Sequence, residues 1–172
     1  MSKPIVAMLL ACVCGVVSAQ APKSAAPATY VTAGDLADAL KSAPNQAATV
    51  IDRPVRVMNT GGQNLGVAII QRTTADTGAL VHDKIDEIYY IPEGGGTLLT
   101  GGTLVNAKPN ASSLTIGPGS SGTGIEGGEN RRVAVGDVIF IPAGTPHMFS
   151  QLDGTIRYLT YRVDPAHVLG LK

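Results

Sequence analysis

The chain has 172 residues, room for one domain of ordinary size and a short leader. Hydrophobic residues make up 44% and charged residues 15%, with thirteen basic residues balancing thirteen acidic ones, a composition that builds a core and excludes a disordered or polyelectrolyte chain. With two Phe, no Trp and no net charge, the sequence lacks the basic stripe and aromatic platforms that nucleic acid requires.

Residues 1–19 read as a cleavable export signal. Lys3 opens it, Ile5 to Val17 is apolar, and Val17-Ser18-Ala19 is a small-residue cleavage site. The apolar run is too short to span a bilayer, so no stable membrane insertion is expected after cleavage. The mature protein is expected in the periplasm or secreted. A lipoprotein signal ending at Cys12 fits less well, because the apolar run continues past it to Val17. Both cysteines, Cys12 and Cys14, fall inside this leader. Thiol catalysis, thiolate metal sites and disulfides therefore drop out for the mature chain.

Residues 20–45 read as a linker followed by one short helix. Gln20 to Thr29 is rich in Ala, Pro and Ser. Thr32 is placed to cap a helix over Ala33 to Ser42, with Leu36 and Leu40 on one face and Pro44 closing the segment. This helix is expected to pack across the outside or end of the main fold.

Residues 46–172 carry strand and turn signals throughout. Thr49 to Met58 contains Pro54 and reads as an edge strand. Further strands are expected over Leu65 to Thr73, Ala79 to His82, Glu87 to Ile91, Thr97 to Thr100, Leu114 to Ile116, Val133 to Val135, Val138 to Ile141, Pro146 to Leu152 and Thr155 to Val163. Short strands at this spacing, without helical runs between them, indicate an all-β sandwich or barrel. The chain has no Walker loop, no G-x-G-x-x-G opening a helix and no G-x-S-x-G elbow.

The most specific signal runs from Gly136 through Pro142, Gly144 and His147 to Gln151. It resembles the second cupin motif, G-x5-P-x-G-x2-H-x3-N, at every position but the last, where Gln151 replaces Asn. Upstream, Glu87 and Gly94 resemble the E-x6-G end of the first cupin motif, and His82 falls on its second histidine. Leu80 stands where the family's first metal histidine belongs, and Thr74 replaces the opening glycine. The resemblance covers residues 74–151. It implies a six- to eight-stranded antiparallel barrel of the jelly-roll type, a cupin double-stranded β-barrel with the two motifs on neighbouring strands. The stretch of residues 95–135 is long for the family, and its Gly-rich end is expected to form a lid or an outer loop.

Alternation along a strand places His147, Phe149 and Gln151 on one face, and Glu87, Tyr89 and Ile91 on one face. The resemblance then implies a metal site of His82, Glu87 and His147. Two imidazoles and a carboxylate suit a divalent transition metal (Mn, Fe, Ni or Zn) and leave positions open for a water or a substrate. Gln151 is a candidate to fill the place left by Leu80. Glu87 is a candidate catalytic base as well as a ligand, and Tyr89 is either a catalytic acid or core packing. Asp86 is expected to face solvent, as is His167. Arg157 and Arg162 fall on opposite strand faces, so at most one points inward.

Two classes of function follow from these residues. One is a metal-dependent enzyme acting on a small oxygenated molecule by dioxygenase, isomerase or lyase chemistry. The other is a non-catalytic barrel that binds a small ligand or metal, a reading to which Leu80 adds weight. A homodimer is compatible with either.

Overall fold

The computed structural model describes residues 26–172, so the expected export signal, its cleavage site and both cysteines lie outside the described residues. Residues 26–32 have no regular structure and lead into α1 (Ala33–Lys41). Thr32 caps this helix as expected. The Asp35 backbone N–H donates to Thr32 Oγ1 at 3.2 Å, and Asp35 Oδ2 accepts from the Thr32 backbone N–H at 2.7 Å. Leu36 and Leu40 are half-buried, and the helix lies against the first two strands. No helix among the described residues is long and apolar enough to cross a membrane.

Thirteen strands follow in the described chain. They are β1 (Val50–Asn59), β2 (Asn64–Arg72), β3 (Ala79–His82), β4 (Asp86–Glu93), β5 (Gly96–Thr100), β6 (Thr103–Val105) and β7 (Lys108–Ser113). After these come β8 (Gly117–Gly122), β9 (Gly124–Glu126), β10 (Glu129–Val133), β11 (Val138–Ile141), β12 (His147–Leu152) and β13 (Ile156–Asp164). Every pairing is antiparallel. A five-stranded sheet has the order β1-β2-β13-β4-β11, and a six-stranded sheet the order β10-β5-β12-β3-β8-β7. β6 and β9 form a separate ribbon.

The inner faces of the two sheets make the core. Ile70, Tyr89, Ile91, Ile141, Ile156 and Tyr158 from the first sheet pack with Leu98, Val133 and Phe149 from the second. Alternation is cleanest in β13, where Ile156, Tyr158, Thr160, Arg162 and Asp164 are all buried. Pro54 sits on the edge strand, next to a register shift against β2. The free side of that edge is partly closed by the C-terminus, where Lys172 and Val57 exchange backbone hydrogen bonds of 3.1 and 3.0 Å.

Two expectations fail here. Leu114 to Ile116 is not a strand but the turn between β7 and β8. The Gly-rich end of this stretch forms neither a lid nor an outer loop, because residues 95–135 are largely sheet. They supply β5, β7, β8 and β10, four of the six strands of the second sheet, so the barrel walls contain more strands than the family motifs implied. β5 was expected over Thr97 to Thr100, but small and polar residues hid β7, β8 and most of β10. β8 (Gly-Pro-Gly-Ser-Ser-Gly) carries no apolar alternation, and it is admitted because small residues let backbones approach. A Cβ on Gly119, for example, would lie 2.0 Å from the Val81 carbonyl oxygen.

Candidate metal centre

His82 closes β3 and His147 opens β12, adjacent strands of the six-stranded sheet. Glu87 lies on β4 of the facing sheet, so the three side chains meet between the two sheets. The second motif's turn is tied to the first motif by two hydrogen bonds. The Gly144 backbone N–H donates to the His82 carbonyl at 2.8 Å, and the Ala143 N–H donates to Asp86 Oδ1 at 2.8 Å. Gly144 adopts φ +79°, a left-handed conformation that only glycine takes at little cost, and the chain can thereby deliver His147. Asp86, expected to be solvated, is thus half-buried and serves as the clasp of this turn.

Glu87 Oε2 lies 3.5 Å from His82 Nε2 and 3.7 Å from His147 Nε2, and one ligand atom from each residue falls within 4.8 Å of the others. Ligands bound at about 2.1 Å to one ion sit roughly 3.0–3.4 Å apart, so the two separations from Glu87 are within a few tenths of an ångström of that range. The donor chemistry fits as well. The Thr145 carbonyl lies 3.0 Å from His147 Nδ1 and accepts a hydrogen bond from its N–H, which leaves Nε2 with the free lone pair. All three residues are buried, with Glu87 only 2% exposed.

The electrostatics keep the set ready for a cation. Burial pushes the His82 imidazole down to about 4; Glu87 opposes that effect, whereas His147 and Arg162 reinforce it, so the ring is neutral at pH 7. Burial alone would raise the Glu87 carboxyl, but Arg162 and the two imidazoles outweigh it and hold it at about 2. Glu87 Oε1 accepts from Arg162 Nε at 2.9 Å and from Thr160 Oγ1 at 3.3 Å. Oε2 accepts from the Tyr89 hydroxyl at 2.9 Å and keeps a lone pair toward the imidazoles. Burial, with Glu87 beside it, raises Tyr89 well above the ordinary phenol range, so Tyr89 keeps its proton. Tyr89 is therefore both a core residue, 4.6 Å from the Tyr158 ring centroid, and the hydroxyl that orients Glu87.

The three residues line a cavity of about 210 Å³, together with Tyr89, Leu80, Arg72, Tyr158 and Arg162. Leu80 stands directly across from His147 in the β3–β12 pair, so it presents an apolar surface beside the site. Gln151 does not fill the gap. A register shift between Phe149 and Gln151 breaks the alternation, and Gln151 is exposed, 3.4 Å from Thr97 Oγ1. His167 is exposed as expected. Of the two arginines on β13, Arg162 points inward and is 3% exposed, while Arg157 pairs with Glu93 at 2.6 Å.

The reading of the sequence missed three contributors. Asp52 receives Arg162 Nη2 at 2.6 Å, the Thr115 carbonyl receives Nη1 at 3.1 Å, and Arg72 on β2 reaches the same cavity. Parity with Ile156 and Tyr158 was a signal for Arg162. It was masked because Leu159, Tyr161 and Val163 make the opposite face of β13 equally apolar.

No protein-family model matches the chain, and no curated protein matches it in sequence. Among solved structures, a Bacillus halodurans protein is similar at 19% identity, over 84% of this chain and 87% of its own, with a TM-score of 0.49. A Rhizobium leguminosarum protein of unknown function shares 14% identity over 81% of this chain and 99% of its own, with a TM-score of 0.47. The EutQ protein of Clostridium difficile shares 17% identity over 80% of this chain and 82% of its own, with a TM-score of 0.42. Likeness at this level leaves the assignment to the chain's own features: two antiparallel sheets face to face, with both motifs converging on one cavity between them. In fold this chain is a double-stranded antiparallel β-barrel, the architecture that the resemblance of its two motifs implied.

Proposed function

We propose that the protein is a metal-dependent enzyme acting on a small oxygenated molecule, by dioxygenase, isomerase or lyase chemistry, and that it works after export from the cytoplasm. The observation that carries this reading is the meeting of His82, Glu87 and His147, three buried ligand atoms within 4.8 Å of one another, at a cavity. His82 Nε2, His147 Nε2 and Glu87 Oε2 would hold a divalent Mn, Fe, Ni or Zn ion. Once bound, such an ion supplies Lewis acidity at positions left open to a substrate oxygen.

The chain's own residues do the rest. Thr145 fixes the His147 tautomer, and Arg162 with Thr160 pins one Glu87 oxygen so that the other faces the imidazoles. The Tyr89 hydroxyl donates to Glu87 Oε2 at 2.9 Å and orients that oxygen, keeping its own proton beside the site. The apolar side chains of Val50, Ile70, Leu80 and Ile116 line the cavity and would favour an apolar part of the ligand. Leu80 also supports a second reading, a binding module without turnover, because it removes one ligand from the family's usual set.

The experiment is a screen of small hydroxy-, oxo- and phenolic acids against metal-loaded protein. Product is followed by NMR and oxygen uptake, with and without a chelator. Turnover that disappears with the chelator supports the enzyme. Saturable binding with no conversion anywhere in the panel favours the module.

A further inference from the structure

Arg72 is the polar group of the cavity that the account above leaves without a task. It ends β2, it is 8% exposed, and its guanidinium lies 5.6 Å from the Phe149 ring centroid. Nε donates to the Tyr158 hydroxyl at 2.9 Å, and Nη1 pairs with Asp76. Asp76 is itself fixed, because its Oδ2 accepts from the Phe149 backbone N–H at 2.8 Å. Among the described residues nothing accepts from Arg72 Nη2. Arg162 differs in this respect. Each of its nitrogens is engaged by Glu87, Asp52 or Thr115, so it has little left for a ligand.

A nearly buried guanidinium held on two sides, on a side chain that lines a cavity and with one nitrogen left without an acceptor, is suited to an anionic oxygen. Charge limits what that anion is. Arg72 and Arg162 stand against Asp52, Asp76 and Glu87, an excess of one negative charge when both imidazoles are neutral, as metal ligation requires. A divalent ion converts that excess into a single positive charge, which one monoanion neutralises. Apolar walls at Val50, Ile70, Leu80 and Ile116 suit a hydrocarbon portion, and about 210 Å³ restricts the ligand to few heavy atoms.

We infer that Arg72 is the carboxylate anchor of this cavity and that the substrate is a small monocarboxylate with an apolar part. The charge count rests on the metal reading; the anchor does not. Arg72 acts as a specificity residue, since it binds the end of the ligand that does not react.

The test uses propionate and its neutral isostere propionamide at pH 7. Both are titrated by NMR into metal-free and metal-loaded protein, with the Arg72 Nε–H signal as reporter. Propionate is expected to shift that signal and to bind at least tenfold more tightly than propionamide in both forms. Arg72→Gln is expected to weaken propionate by roughly 10- to 100-fold while leaving propionamide unchanged, and Arg72→Lys to fall between. Equal binding of the two probes, or an Arg72→Gln variant that keeps the wild-type preference, overturns the anchor. If Arg72→Gln fails to fold, the wild-type signal decides: an Arg72 Nε–H peak that propionate leaves unmoved overturns it. A protein that takes up no metal yet keeps an Arg72-dependent preference for propionate removes the metal reading and keeps the anchor.

Discussion

Replacing Arg162 by Met tests how the buried charges of the site are balanced. The guanidinium is 3% exposed; it lies 2.9 Å from Glu87, which is 2% exposed, and 2.6 Å from the partly hydrated Asp52. Met matches most of the volume, so the cost comes from the carboxylate left behind. Breaking a buried pair from one side costs about 3–5 kcal/mol. For a chain of this size that lowers Tm by roughly 6–20 °C.

The pH dependence has a definite sign. In the wild type Glu87 is held at about 2, below its unfolded value, so its contribution is complete above the ordinary carboxylate range and is lost as pH falls toward 2. Without Arg162 the burial effect dominates and Glu87 rises above its unfolded value. The variant then loses stability as pH rises from about 4 to 7, because the unfolded chain releases a proton that the folded one retains. The gap between wild type and variant should therefore widen over that interval. Divalent metal should narrow it, since an ion supplies the cation that Arg162 provided. Calorimetric Tm measured at pH 5 and 7, with and without Mn(II), reads both effects. A deficit under 1 kcal/mol, or one that neither pH nor metal alters, would refute this account of Glu87.

Leu80→His restores a third imidazole on the strand next to His147 and should tighten metal binding roughly tenfold or more, as competition with a chelator would show; a destabilised protein with no gain would mean that residue 80 needs an apolar contact. Gln151→Ala should leave metal affinity unchanged and the unfolding free energy within about 0.5 kcal/mol of wild type, because the side chain is exposed beyond a bulge. If export follows the expected signal, mass spectrometry of the secreted or periplasmic protein should find Gln20 at the N-terminus, whereas a lipid-modified Cys12 would identify another signal class.

The site was legible where its residues sit in motifs with fixed backbone demands. His147 follows a turn that needs Gly144 at positive φ, and Gly94 is required because a Cβ there would lie 2.4 Å from the Thr155 carbonyl oxygen. Positions that depend on packing between distant strands were not legible. Asp52 is 110 residues from Arg162, and nothing local marks the pair. Gln151 was misplaced because alternation cannot foresee a bulge. β7 and β8 were missed because glycine, serine and asparagine carry no hydrophobic period, although both strands pair within the second sheet.

The central claim is that His82, Glu87 and His147 hold one metal ion. The most direct measurement is the divalent ion content per chain of metal-free protein reloaded with Mn(II), Fe(II), Ni(II) or Zn(II), desalted and analysed for metal, beside His147→Ala treated identically. The account predicts one ion per wild-type chain and a sharp loss in His147→Ala with its barrel still folded. A wild type that emerges free of metal, or a variant that retains as much as the wild type, would contradict it.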